Sequence, residues 1–465
     1  MKTITTYRDR PGRLLKLALA VVIALPLSGC KGILDVFDPD IVTPGSLETE
    51  LGLQTIRNGA LGEFTIAYSG GSQTDGIIMI SGLMSDEWMH SGTFISRFQV
   101  ETRNMDADNG TLAGMFRRLQ QARVSLESAA ARLEAAAEGA ADDRIGEMYY
   151  YAGIIYIAFA ENYCSGVPFS LQPETGDTEF GNPEARDQIL DRAVARFNSA
   201  LGAAGVAADL ADAARIGIGR AELARGSFTA AAAAVSSVAD DFAFFSFHSS
   251  NSSSQRNSIF EFNKNGGRWS LGDVEGVNGL NFRTAGDPRI THELCSGCAF
   301  DKSEQVPGTP ALTDNWWMTN YQSRDDPVRL ATGIEARLIE AEALLAGSPA
   351  AWLTMLNDLR AQWSSLASIV RGDATGTLPA LAMPATTALM VDLHFRERAF
   401  WLFSTGHRLG DLRRLVRQYG RATESVFPTG PYWKPGANYE LDVNLEIPVD
   451  EDNNPSNSGC LDRNA

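Results

Sequence analysis

Apolar side chains recur at three- and four-residue steps from 111 to 137, at Leu112, Met115, Phe116, Leu119, Leu126, Ala129 and Leu133, which lines one stripe of an amphipathic helix. Asn109-Gly110-Thr111 supplies the turn and cap before it. A second stripe, Tyr149, Ala152, Tyr156, Phe159 and Tyr163, stops at Gly166-Val167-Pro168. The break from Gly139 to Asp143 folds the two stretches back on each other as an antiparallel hairpin. The same period predicts helices over 184–202, 211–225, 227–239, 328–346, 350–366 and 386–418, with joints at Arg225-Gly226-Ser227 and Gly347-Ser348-Pro349. Hairpins stacked in this way bury a continuous core between neighbours, as in tetratricopeptide arrays, although no strict repeat consensus recurs. The expected fold is mainly α, about four tetratricopeptide-like helix pairs with an irregular, loop-rich lobe.

The lobe is where the helical period fails. Residues 241–326 are rich in Ser, Asn, Gly and aromatics; Ser249 to Ser254 reads as an exposed loop, and Ile259-Phe260-Glu261-Phe262 as a strand of a small hairpin. A second irregular zone runs over 427–457. Irregular insertions this long are seldom kept for packing, so a ligand site is expected in the lobe.

Composition and charge narrow the classes. With 40 Lys and Arg against 57 Asp and Glu, the net charge of −17 is a poor footprint for phosphate backbones, and nucleic acid is not expected as a partner. At the N-terminus, Arg8, Arg10, Arg13 and Lys16 precede an apolar run from Leu17 to Leu25, too short to span a bilayer and suited to a secretory signal. It ends in Leu27-Ser28-Gly29-Cys30, which looks like a bacterial lipobox, so that Cys30 becomes the acylated first residue. Acyl chains there would tether the protein to a membrane. The chain thus divides into a signal peptide (1–29), a lipidated N-terminus and linker (30–48) and a helical domain with its lobe (49–465).

Several strings, in order, resemble the SusD/RagB family of outer-membrane nutrient-uptake lipoproteins. The most specific runs from Glu397-Arg398 through an apolar helix to Gly406-His407-Arg408 and Asp411-Leu412-Arg413-Arg414. Gly166-Val167-Pro168, Asp287-Pro288-Arg289, Ile339-Glu340-Ala341-Glu342-Ala343, Leu356-Asn357-Asp358-Leu359-Arg360, Ile447-Pro448 and Asn454-Pro455 match further family elements. The chain departs from the pattern at Cys164-Ser165, where an aromatic is usual, in its short middle insertion, and at its terminus, where Asn457-Ser458-Gly459-Cys460 stands. The resemblance implies a surface-exposed outer-membrane lipoprotein without catalytic activity or cofactor. Such a protein captures an oligosaccharide or other nutrient and acts as the lid of a SusC-like TonB-dependent barrel.

Candidate contacts follow from chemistry. Sugar rings present apolar C–H faces that stack on aromatic planes, while Arg and Asn bond the hydroxyls. Aromatics outside the helical period are Trp88, Phe94, Trp269, Trp316, Trp317 and Tyr321; with Arg97 and Asn320 beside them, Trp88, Arg97, Trp269, Trp316, Trp317, Asn320 and Tyr321 form the candidate ligand set. The Trp316-Trp317 pair stands out, because adjacent indoles of an extended segment point to opposite sides and are hard to bury together. His292-x-x-Cys295-x-x-Cys298 lacks a fourth zinc ligand nearby and suits a Cys295–Cys298 disulfide, leaving Cys164 and Cys460 to pair or stay free. His407 and Arg408 are read as architectural, with Arg408 and Asp411 placed to pair along one helix face. No Gly-x-Ser-x-Gly, His-Glu-x-x-His or phosphate-binding glycine loop is present. The rival readings are a helical-repeat scaffold lipoprotein for envelope assembly and a lipid-anchored hydrolase.

Overall fold

The computed structural model describes residues 47–71, 74–171, 173, 176–298 and 314–465; the leader and Cys30 lie outside the described residues. Helices α1 (Glu50–Ser69), α2 (Ile77–Met84) and α3 (Ile95–Glu101) precede four antiparallel pairs. The pairs are α4 (Gly110–Ala137) with α5 (Asp143–Asn162), α6 (Arg186–Gly202) with α7 (Ala208–Arg225), α9 (Gly333–Leu344) with α10 (Pro349–Ala361), and α12 (Thr387–Trp401) with α13 (Arg408–Tyr419). The short helices α8 (Phe228–Val235) and α11 (Trp363–Val370) bridge between pairs. The fold is mainly α, as the period predicts, and Glu50–Ala465 forms one unit. No helix among the described residues is long and apolar enough to cross a membrane.

Local chemistry sets the helix ends. The Asn109 side chain accepts from the Thr111 and Leu112 amides at 3.0 and 3.1 Å, starting α4 where its cap was expected. Thr332 and Thr386 cap α9 and α12 through the Glu335 and Leu389 amides. Between the first two pairs, Phe197 is fully buried and wedged against Gly153 of α5 and Gly217 of α7; a Cβ at those glycines would stand 2.6 and 2.5 Å from its ring. Two glycines facing one ring let three helices approach closely.

The structure corrects four expectations. Residues 328–332 form a strand, and the helix begins only at Gly333, because Val328 to Thr332 is buried throughout and pairs with Ala243–Ser246. The stretch 386–418 is two helices, broken where Ser404 and Gly406 take positive φ of 55° and 76°. Ile259 to Phe262 is a helical turn, opened by the Asn257 side chain accepting from the Phe260 amide. Arg408 does not pair with Asp411: it grips Asp86 through two bonds of 2.6 and 2.8 Å, while Asp411 takes Arg398 and Arg414.

The charged motif residues form one buried lattice. Glu397 accepts from Arg289 and Arg360 at 2.8 and 2.7 Å, and Asp287 takes the other edge of Arg289, so the Asp-Pro-Arg, Leu-Arg and Glu-Arg strings meet in space. Glu342 accepts from Arg414 and Tyr419. Trp352 donates to His394 Nδ1, so the neutral His394 donates from Nε2 to Glu342. Burial alone would raise the Glu342 and Asp411 carboxyls, but their arginines outweigh it and hold both below the usual range. Arg413 bonds the carbonyls of Ala160, Glu161 and Tyr163, closing the end of α5. His407 lies between Thr405 and Glu335, buried and engaged as an architectural residue.

Candidate ligand-binding site

Six short strands serve the lobe: β1 (Trp88–His90), β2 (Ala243–Ser246), β3 (Trp269–Leu271), β4 (His292–Leu294), β5 (Trp316–Met318) and β6 (Val328–Thr332). β1 pairs with β3 and β4 with β5, both antiparallel. Buried Asn263 joins the ladders: its amide donates to the Trp269 and Trp316 carbonyls, and its oxygen accepts from the Met318 amide at 2.8 Å. Ser270 Oγ adds a bond from the Trp316 amide at 3.0 Å. Every member of this polar hub has a partner, which fixes the backbone of β5.

On that strand the two indoles face opposite ways. Trp316 lies under the Arg283 guanidinium, 4.6 Å from its ring centre, with His292 at its edge. Trp317 carries the Lys264 ammonium at 4.3 Å and meets Phe260 edge-on. Both rings are half-buried, so each keeps a surface open while a cation covers part of it. Arg283 is held in turn by Asp273 at 3.0 Å. The cations leave donors beside an aromatic plane, a combination suited to a polyhydroxylated ring.

A cleft flanks the same floor. Phe94 is 56% exposed, and Arg97 and Arg268 stand over it at 5.1 and 5.9 Å. Arg97 is clamped by Asp75 at 2.8 and 3.0 Å and covers the Trp269 ring at 5.5 Å. Phe94, Arg97 and Asp75, with Ser96, Thr111 and Gln121, line a cavity of about 560 Å³.

Two of the seven expected contacts, Trp316 and Trp317, present ring surface, and Arg97 lines the cleft. Trp88 and Trp269 are fully buried core rings, the first against Phe403, and offer no face to a ligand. Asn320 spends its side chain on the Thr291 amide and the carbonyls of Arg289 and Val370, and Tyr321 is buried. These four belong to the packed interior. Sequence reasoning passed over Lys264, Arg268 and Arg283; the signal it had was their position within the aromatic-rich, non-helical segment. Cys295 and Cys298 are bonded at the end of β4, and Cys164 is bonded to Cys460. Among the described residues no group of three His, Cys, Asp or Glu could hold a metal.

The second irregular segment is pinned by two buried acids, one on α3 and one in the first segment. Glu101 accepts from Tyr432, Trp433 and the His90 amide, and Glu275 accepts from Tyr439. Burial pushes Glu101 up to about 7 despite nearby Lys434 and these donors, and drives Glu275 well above the usual range. Close by in sequence, Glu87 rises to about 8 through burial, although the Ser404 amide bonds one of its oxygens. Burial also keeps His90 neutral.

No protein-family model matches the chain, and no curated protein matches it in sequence. Solved structures do match. A SusD-like carbohydrate binding protein from Bacteroides fragilis superposes with a TM-score of 0.62 at 16% identity, covering 88% of this chain and 99% of its own. A SusD homolog from Bacteroides thetaiotaomicron gives 0.61 at 13% identity, over 90% and 99%. A laminarin-binding SusD-like protein gives 0.54 at 13% identity, over 89% and 99%. The superpositions run over about nine-tenths of this chain and nearly the whole of each neighbour, and the chain has the fold of these SusD-like proteins.

Proposed function

We propose that this chain is a non-catalytic glycan-binding lipoprotein of the SusD/RagB family. In this reading, Cys30 carries the lipid that holds it at the outer membrane, and it serves as the lid of a SusC-like TonB-dependent barrel. The observation that carries the binding claim is the double-indole strand, whose two half-open rings each lie beside a cation on a rigid floor. Rings spread over a surface suit capture of a polymer segment. The Phe94 cleft extends the same platform through Arg97 and Trp269. Carbohydrate binding by proteins of the same fold supports this choice of ligand class.

The test has two arms. Purified protein is screened against a panel of soluble glycans, and retention of at least one is expected. Full-length acylated protein is recovered from its native membrane, and a large barrel protein is expected in near-equal amount. A chain that binds no glycan and is recovered alone overturns the proposal; recovery with assembly factors alone favours the envelope scaffold.

A further inference from the structure

In a chain of net charge −17, two cavities carry more cations than acids on their walls, the Phe94 cleft, with Arg97, Arg117 and Arg118 against Asp75, and a second. The second, of about 270 Å³, lies on the last helix pair and shares no residue with the Phe94 cleft. Its charged lining is Arg396, Arg408 and Arg421 against Asp392. Two of the arginines are spent: Arg408 on Asp86, and Arg421 on Asp392 at 2.7 Å and on the Ala388 carbonyl. Arg396 differs. Its guanidinium lies on the Phe400 ring at 4.6 Å, and it has neither a hydrogen bond nor an ion pair among the described residues. The adjacent acid, Glu397, is committed to Arg289 and Arg360. Half-buried Leu280 supplies apolar surface in the same cavity. A stacked guanidinium is held in one plane with its N–H edges unspent, the arrangement that receives a carboxylate through two parallel bonds.

We propose that this cavity is a second glycan subsite, selective for a hexuronate residue, with Arg396 binding the ring carboxylate and Leu280 meeting the C–H face. The inference rests on reading the chain as a glycan binder, and its test separates the two. Full-chain protein is titrated by calorimetry with glucuronate, glucose and acetate. Glucuronate is expected to bind at least about tenfold more tightly than either control, with affinity falling as salt rises. Arg396→Gln should weaken it by about tenfold or more with the melting temperature little changed, since only the stacking on Phe400 is lost, and Arg396→Lys should not restore it. Absence of glucuronate binding, equal binding of acetate, or full binding by Arg396→Gln each overturns the subsite, whereas retention of a neutral glycan in those cases leaves the double-indole site standing.

Discussion

The helical scaffold and the irregular lobe place their charges differently. In the scaffold, arginines such as Arg398, Arg414 and Arg220 are buried and doubly bonded to carboxylates that lie far along the chain or on a facing helix. In the lobe, Lys264 and Arg283 sit on half-open rings. A buried pair of this kind fixes one packing arrangement and is costly to break; a cation on an open ring holds little together and stays available to a ligand. The difference separates residues that build the fold from residues that can meet a partner.

That contrast can be broken by substitution. The two disulfides give the largest expected difference. Cys164–Cys460 closes a loop across 296 residues and Cys295–Cys298 one across 3, so on chain entropy their removal should cost about 5 and about 2 kcal/mol respectively, read by denaturant unfolding. Equal losses would mean that the lobe is tied as tightly as the scaffold. Next, Arg408→Ala takes the guanidinium from buried Asp86 and should cost about 3–5 kcal/mol, whereas Arg117→Ala, which loses an exposed pair with Asp450, should cost about 0–1 kcal/mol. Similar values for both would remove the lattice from the account.

Acidity sharpens the comparison with a smaller effect. Glu87 binds its proton more tightly in the fold, at about 8 against an ordinary 4.5. Its contribution is therefore whole below the ordinary value and is lost as pH rises toward 8. Glu87→Gln keeps an acceptor for the Ser404 amide and cannot ionise. Its melting temperature should exceed the parent's near pH 8 and converge with it near about pH 4. A gap that does not change with pH contradicts this assignment.

Much of the scaffold was legible in the sequence. Stripes such as Leu112 to Leu133 and stops such as Gly166-Val167-Pro168 are local signals, and the helices begin and end within a few residues of them. The break at 404–406 was not legible, because the apolar period runs through it and only backbone conformation reveals the turn. Long-range pairing defeated the local reading at Arg408, whose partner Asp86 is 322 positions away. In the site, the pair Trp316-Trp317 was legible from adjacency alone, whereas Trp88 and Trp269 resemble it in sequence and differ only in what packs over them. Arg283 could not be assigned to Trp316, since nothing local links positions that far apart.

The most direct test of the central claim is calorimetric titration of a glycan retained in the screen into the parent and into the protein carrying Trp316→Ala and Trp317→Ala. The account predicts a loss of at least about tenfold in affinity, roughly 1.4 kcal/mol, with stability changed by less than the loss expected at a fully buried ring such as Trp88. Undiminished affinity in the double variant would show that the indole strand is not where the ligand binds.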